Sequence, residues 1–302
     1  MSAWSVNTLR TRNSQWSKFI DFCHVLNEDP VPASPTVVIK FLVWLAQTVK
    51  YVTVNNYMSA ITNLQKFCGH DVDYRQYFVV KLVLSGLKNI LGDVPSIKLI
   101  ITPTDLTMMY LVMKKSTYNL TCWMAIILSF RSLLRKCNIL PDTRTDHLVL
   151  RQDVEFTSYG LLLHIRSTKT LKFQERELLI PLASVSNPVF CVVSMLHAHF
   201  VAVPAPGSSP LFLNPDGSSI TYRNVLQFFK QCVSSVNLDS AKAGLHSLRR
   251  SGASYLHSIG VPIEDIRCAG DWKSLAVLAY LVTPFARKQQ LELSVAGTYD
   301  FL

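Results

Sequence analysis

The period of its apolar residues constrains this chain most. Along most of the 302 residues, apolar side chains recur every three or four positions; only between residues 147 and 182 does that spacing give way to strand-like runs. Such a chain is expected to be mainly α with one small antiparallel β-sheet. In the first segment, "TLRTRNSQWSKFIDFCHVLN" spaces Trp16, Phe19, Ile20 and Cys23 as an amphipathic helix. "SPTVVIKFLVWLAQTV" follows with Ser34 as N-cap and Pro35 at the first helical position. "TVNNYMSAITNLQKFCG" and "YFVVKLVLSGLKNIL" complete four helices, closed by Gly69 and Gly92. This unit, residues 1–97, carries Lys18, Lys40, Lys50, Lys66, Lys81 and Lys88, which suits a plain bundle or a clamp on a polyanion.

A second unit is expected over residues 98–302. "GDVPSIKLIITPTDL" reads as a linker running into a helix capped by Thr102, opened by Pro103 and supported by Asp105. A helical stretch through about residue 140 leads to "HLVLRQDVEF", "GLLLHIRST" and "RELLIPL", the strands of the sheet. Helices return at 188–202 and 221–236, separated by the loop "VPAPGSSPLFLNPDGSS" with one short strand.

Thirty basic against twenty acidic residues give a net charge of +10, a field that draws polyanions, nucleic acid above all. No run reaches the roughly 18 apolar residues of a membrane span. The nearest, "CWMAIILSF", is short and ends at Arg131, so a buried helix is expected and no membrane association. "MSAWSVNTLRTRNSQWSK" has no apolar signal core, and a secretory route is not expected. The seven cysteines are widely spread without a C-x-x-C pair, as small hydrophobes of a reducing compartment. Cys191, His197 and His199 fit no common zinc spacing, and no metal is expected.

The stretch most informative about chemistry is "HSLRRSGASYLHSIGVPIEDIRCAGDWKSLAVLAYL", residues 246–281. His246 and Arg249, three apart at a helix start, share one neighbourhood. Gly260 stops that helix, Pro262 opens a second, Gly270 ends it, and Trp272 falls in the turn before a third that leads to Tyr280. A phenol, with pKa near 10, is a weak nucleophile at neutral pH. Adjacent cations lower that pKa and hold an anionic electrophile, and arginine's planar fork matches phosphate oxygens. The combination suits attack on a phosphate.

These residues resemble the H-x-x-R, H/W, Y signature of the tyrosine recombinases, the phage integrase family. Two upstream positions of that signature have counterparts: Arg135 in "LLRKCNIL", where the family places an arginine at the end of an apolar helix, and Lys169 in the "TKT" of "HIRSTKTLKFQERELLIP". "TVNNYMSAITNLQK" also looks like part of the family's N-terminal domain. The resemblance implies a helical, SAM-like core-binding domain at 1–97 and an α+β recombinase catalytic domain at 98–302. It further implies double-stranded DNA as partner, dimers on a site and a tetramer in synapsis. No small-molecule substrate and no cofactor are implied, because the bond energy stays in a 3′-phosphotyrosyl link made by Tyr280. Arg135 and Arg249 would neutralise the non-bridging oxygens, His246 would assist proton movement, Trp272 would pack and donate to the phosphate, and Lys169 would protonate the leaving oxygen.

The sequence departs from the family pattern in two places. Asn138 stands where the family usually has glutamate, and Tyr280 comes eight residues after Trp272, one fewer than in bacterial and phage members. The shorter gap with "W-K-S" is most like the DIRS-like and Crypton recombinases of eukaryotic mobile elements, implying a nuclear protein if the host is eukaryotic and a cytoplasmic one otherwise. A recombinase-derived DNA-binding protein that no longer cuts, and a type IB topoisomerase, are the alternatives. The tail "FARKQQLELSVAGTYDFL" is expected to dock on a neighbouring protomer.

Overall fold

The computed structural model describes residues 4, 6–92, 99–141, 147–168, 178–273, 275–279, 281 and 289. The chain divides into two compact units, Met1–Ser96 and Ile97–Leu302. Lys169, Tyr280, most of the tail after residue 281 and the linker residues 93–98 lie outside the described residues.

The first unit contains four helices, α1 (Val6–Val25), α2 (Pro35–Ala46), α3 (Tyr51–Phe67) and α4 (Phe78–Leu91). The apolar stripes pack as their spacing requires. Phe19 and Cys23 of α1 meet Phe41, Leu42 and Leu45 of α2, Met58 and Ile61 of α3, and Val80, Leu84 and Leu87 of α4 in one buried core. Ser34 caps α2 by accepting from the Val37 N–H at 3.2 Å, with Pro35 in the first turn. The buried Tyr74 hydroxyl donates to the Ala33 carbonyl at 2.7 Å, tying the connection before α4 to the entry of α2.

The second unit is built around α6 (Thr117–Arg131), whose residues from Thr121 to Phe130 are all buried. A helix apolar on every side must be enclosed, and α8 (Val192–Ala202), α9 (Tyr222–Ser235) and α10 (Leu245–Ser258) enclose it. Preceding it is α5 (Pro103–Val112), which opens with a full capping box: the Thr102 side chain accepts from the Asp105 N–H at 3.1 Å and Asp105 accepts from the Thr102 N–H at 2.8 Å. The expected helical stretch is broken at 113–116 and again after Arg131, before the single-turn α7 (Lys136–Ile139). The short α11 (Ile263–Ala269) follows α10.

Three strands, β1 (Val154–Phe156), β2 (Gly160–Ile165) and β3 (Leu178–Ala183), form one antiparallel sheet in that order. Paired residues Leu161 and Leu182, Leu163 and Ile180, Ile165 and Leu178 turn one face into the core. Pro181 is tolerated because β3 is an edge strand.

Two strand expectations are corrected. In "HLVLRQDVEF" only Val154–Phe156 joins the sheet, because the Asp153 carboxylate accepts from the Leu150 N–H at 2.8 Å and winds Arg151–Asp153 into a 3₁₀ turn. In "VPAPGSSPLFLNPDGSS" there is no strand, only single bridges from Leu150 to Pro210 and from Leu213 to Ser219.

Candidate functional site

The last turn of α6 and the first turns of α10 lie against each other because Gly252 has no side chain. A Cβ there would sit 2.1 Å from the Phe130 carbonyl oxygen and 2.7 Å from the Leu133 side chain. This approach brings Arg249, one turn before Gly252 and 3% exposed, up to the segment that leaves α6. Arg249 donates from Nη1 to the Leu133 carbonyl and from Nη2 to the Gly270 carbonyl, and its guanidinium lies 3.9 Å from the Trp272 ring centroid. Two backbone carbonyls and an aromatic face thus fix the plane of the fork.

Trp272 is buried in a small core of its own with Leu133, Ala253, Ile266 and Val277. Its ring covers Gly270 so closely that a Cβ at Gly270 would meet it at 1.6 Å. Between the two, Asp271 adopts the left-handed backbone region at φ 52, where aspartate is among the better tolerated L-residues. Its buried carboxylate accepts from the Thr168 hydroxyl at 2.9 Å and faces Arg135 Nη1 at 3.8 Å.

Arg135 is not at the end of the apolar helix, where the resemblance led us to expect it. The residue in the last turn of α6 is Arg131, which donates to the Phe190 carbonyl at 3.0 Å and the Ala183 carbonyl at 2.9 Å and is thereby committed to the scaffold. Leu133, at φ 53, reverses the chain, and Arg135 sits beyond it in extended conformation as the N-cap of α7, its side chain 21% exposed. The turn at 132–134 sets that placement, and helical periodicity gives no sign of it.

His246, in the first turn of α10, presents its ring at the surface. Crowding by neighbouring protein lowers its pKa, and Arg249, Arg135, Lys136 and Arg250 lower it further in that order. The lowered pKa favours the neutral imidazole. Arg249, Trp272 and, through Asp271, Arg135 thus meet at the turn 270–272, and His246 stands three residues before Arg249 on α10. Such a cluster can hold a tetrahedral oxyanion and keeps a neutral imidazole beside it to accept a proton.

Two residues that sequence reasoning passed over complete the arrangement. Asp271 is one; its signal was an acidic residue between Gly270 and Trp272 in a chain lacking the usual acid after Arg135. The other is Thr168. Asn138 is fully buried and donates from Nδ2 to the His147 carbonyl at 2.7 Å and to the Ser167 carbonyl at 3.1 Å, pinning the end of β2 beside α7. Among the described residues, groups of histidine, cysteine and acidic side chains able to hold a metal are absent. His199 instead accepts from the Leu213 N–H at 3.4 Å. No helix among the described residues is long and apolar enough to cross a membrane.

The fold is shared with solved structures of two integrases and a site-specific recombinase. The similar solved structures include the Tn1549 transposon integrase in complex with transposon right end DNA, at 16% identity and TM-score 0.69 over 97% of this chain and 95% of that one. A lambda integrase dimer bound to a core site matches at 14% identity and TM-score 0.64 over 92% and 89%. The XerH recombinase bound to its palindromic difH substrate matches at 14% identity and TM-score 0.61 over 93% and 76%. No family model matches the sequence, and no curated protein matches it.

Proposed function

We propose that this chain is a site-specific DNA recombinase that cuts and rejoins duplex DNA through a tyrosine. The observation that supports the reading is the meeting of Arg249, Trp272 and, through Asp271, Arg135 at the turn 270–272, with His246 three residues before Arg249 on the same helix. In this reading a scissile phosphodiester lies with its non-bridging oxygens against the two guanidinium groups. The Tyr280 phenol attacks phosphorus, a 3′-phosphotyrosyl bond forms, and the bond to the 5′ oxygen breaks. The phenol proton passes toward neutral His246, and Lys169 supplies the proton that makes the leaving oxygen a 5′-hydroxyl. Attack by the 5′-hydroxyl of a second strand reverses the step and frees Tyr280, so the bond count is conserved. The unit Met1–Ser96 adds DNA-backbone contacts of its own, and Ile97–Leu302 carries the chemistry. The eight-residue spacing from Trp272 to Tyr280 points to a mobile-element recombinase of the DIRS-like or Crypton kind, working in the nucleus as dimers on a site and tetramers in synapsis.

The test begins by selecting a bound site from random-sequence duplexes and placing a nick beside the cleavage position, so that the released fragment diffuses away. Wild-type protein is expected to give a denaturation-resistant DNA adduct that Tyr280→Phe does not form. No adduct with a tightly bound site leaves a DNA-binding protein, and adduct formation together with supercoil relaxation by monomers identifies a topoisomerase.

A further inference from the structure

We propose that Asp271 is the positioning residue for Arg135, supplying from the turn after α11 the carboxylate that this chain lacks at position 138. The inference rests on the recombinase reading of the site and adds to it the device that aims the first arginine. Position 138 cannot hold a carboxylate as it is built. Its side chain donates to the carbonyls of His147 and Ser167, and a carboxylate would set like partial charges against both. The amide is required there to hold the end of β2, so the counter-charge for Arg135 has to come from elsewhere.

Asp271 provides it. The carboxylate is 4% exposed, and its Oδ2 both accepts the Thr168 hydroxyl at 2.9 Å and faces Arg135 Nη1 at 3.8 Å. A buried carboxylate is retained where its lost hydration is compensated, and here a hydroxyl donated by the residue immediately before Lys169 and the nearby positive charge of a guanidinium do so. The turn is held in place by bonds from the Asp271 N–H to the Cys268 carbonyl at 3.1 Å and from the Trp272 N–H to the Arg267 carbonyl at 3.0 Å. The three residues of this turn therefore touch both arginines. The Gly270 carbonyl and the Trp272 ring fix Arg249, while Asp271 fixes Arg135 and ties it to the segment that leads to Lys169. Asp271 holds the left-handed backbone region at φ 52, and such backbone is retained where surrounding contacts enforce it.

The test compares wild-type protein with Asp271→Asn on two nicked duplexes of the selected site, one with the natural scissile phosphodiester and one with a neutral methylphosphonate there. On the phosphodiester, Asp271→Asn is expected to slow adduct formation about 10–100-fold, with DNA affinity within about threefold of wild type. On the methylphosphonate, where no anionic oxygen needs the aimed guanidinium, the difference is expected to shrink below about threefold. A merely structural defect would lower both rates alike. Should Asp271→Asn not fold, Thr168→Val removes one donor to the same oxygen and is read in the same comparison, with a several-fold loss confined to the phosphodiester. Undiminished cleavage, or equal loss on both duplexes, overturns the inference while leaving the recombinase reading intact. Wild-type protein that forms no adduct on either duplex overturns the recombinase reading and this inference with it.

Discussion

Arg249 is where charge, shape and packing meet, and no other cation replaces it. A lysine is a point charge on a flexible stem and cannot bridge the Leu133 and Gly270 carbonyls while lying flat on Trp272. Arg249→Lys is therefore expected to retain binding to the selected duplex but to slow adduct formation about 10²–10³-fold, measured in single-turnover assays. An equally fast variant would mean that the fork geometry is irrelevant. His199 gives a second residue-scale prediction. Burial first, and the Arg151 charge second, push its pKa from 6.5 down to about 4. Because the folded value lies below the unfolded one, its contribution is fully present above pH 6.5 and is lost as pH falls toward 4. The linkage amounts to about 2 kcal/mol between pH 7 and pH 5. Melting curves across that window are expected to fall with acidification in the wild type and to fall distinctly less in His199→Gln. Parallel curves would count against a neutral buried imidazole.

Among elements, the contact of α6 with α10 governs the site, and Gly252 governs the contact. Gly252→Ala places a methyl against a backbone carbonyl that cannot yield without shifting a helix end, and about 1–3 kcal/mol of destabilisation is expected in thermal or urea unfolding. A variant as stable as wild type would show that α10 has room to move. Local signals in the sequence were enough for the caps of α2 and α5, since Ser34, Pro35, Thr102 and Asp105 act within their own first turns. They were enough to place β2 and β3 and to expect an antiparallel sheet as well. They failed at residues 147–153, where Asp153 bonds its own backbone and halts an apparent strand, and after Arg131, where a left-handed Leu133 redirects the chain. In both places a single side chain or backbone angle outweighs the period of the pattern. Asp271 stood out only as an acid between Gly270 and Trp272, and its role was hidden because its partners, Arg135 and Thr168, are distant in sequence and meet it only in the folded chain.

At the scale of the whole molecule, the charge of +10 makes phosphate contacts the expected source of affinity for the duplex of the proposed reaction. Six to ten such contacts predict a loss of about 10³–10⁵ in affinity between roughly 50 and 200 mM salt. Binding that hardly changes over this range would contradict a clamp held by the backbone. The order of the motifs made the class of fold legible from sequence, because His246, Arg249 and Trp272 stand in one short stretch and Arg135 lies upstream in the required order. The support beneath them was not legible, because it is made of carbonyls, a turn and a buried acid with no fixed spacing.

The most direct measurement maps the covalent link itself. Protein trapped on the nicked, selected duplex is digested with protease and nuclease, and the nucleotide-bearing peptide is sequenced by mass spectrometry. The expected result is a single modified residue, Tyr280, lost together with all adduct in Arg249→Ala. A nucleotide on Tyr255, Tyr222 or any other side chain, or a bound duplex that never becomes linked, would contradict the account.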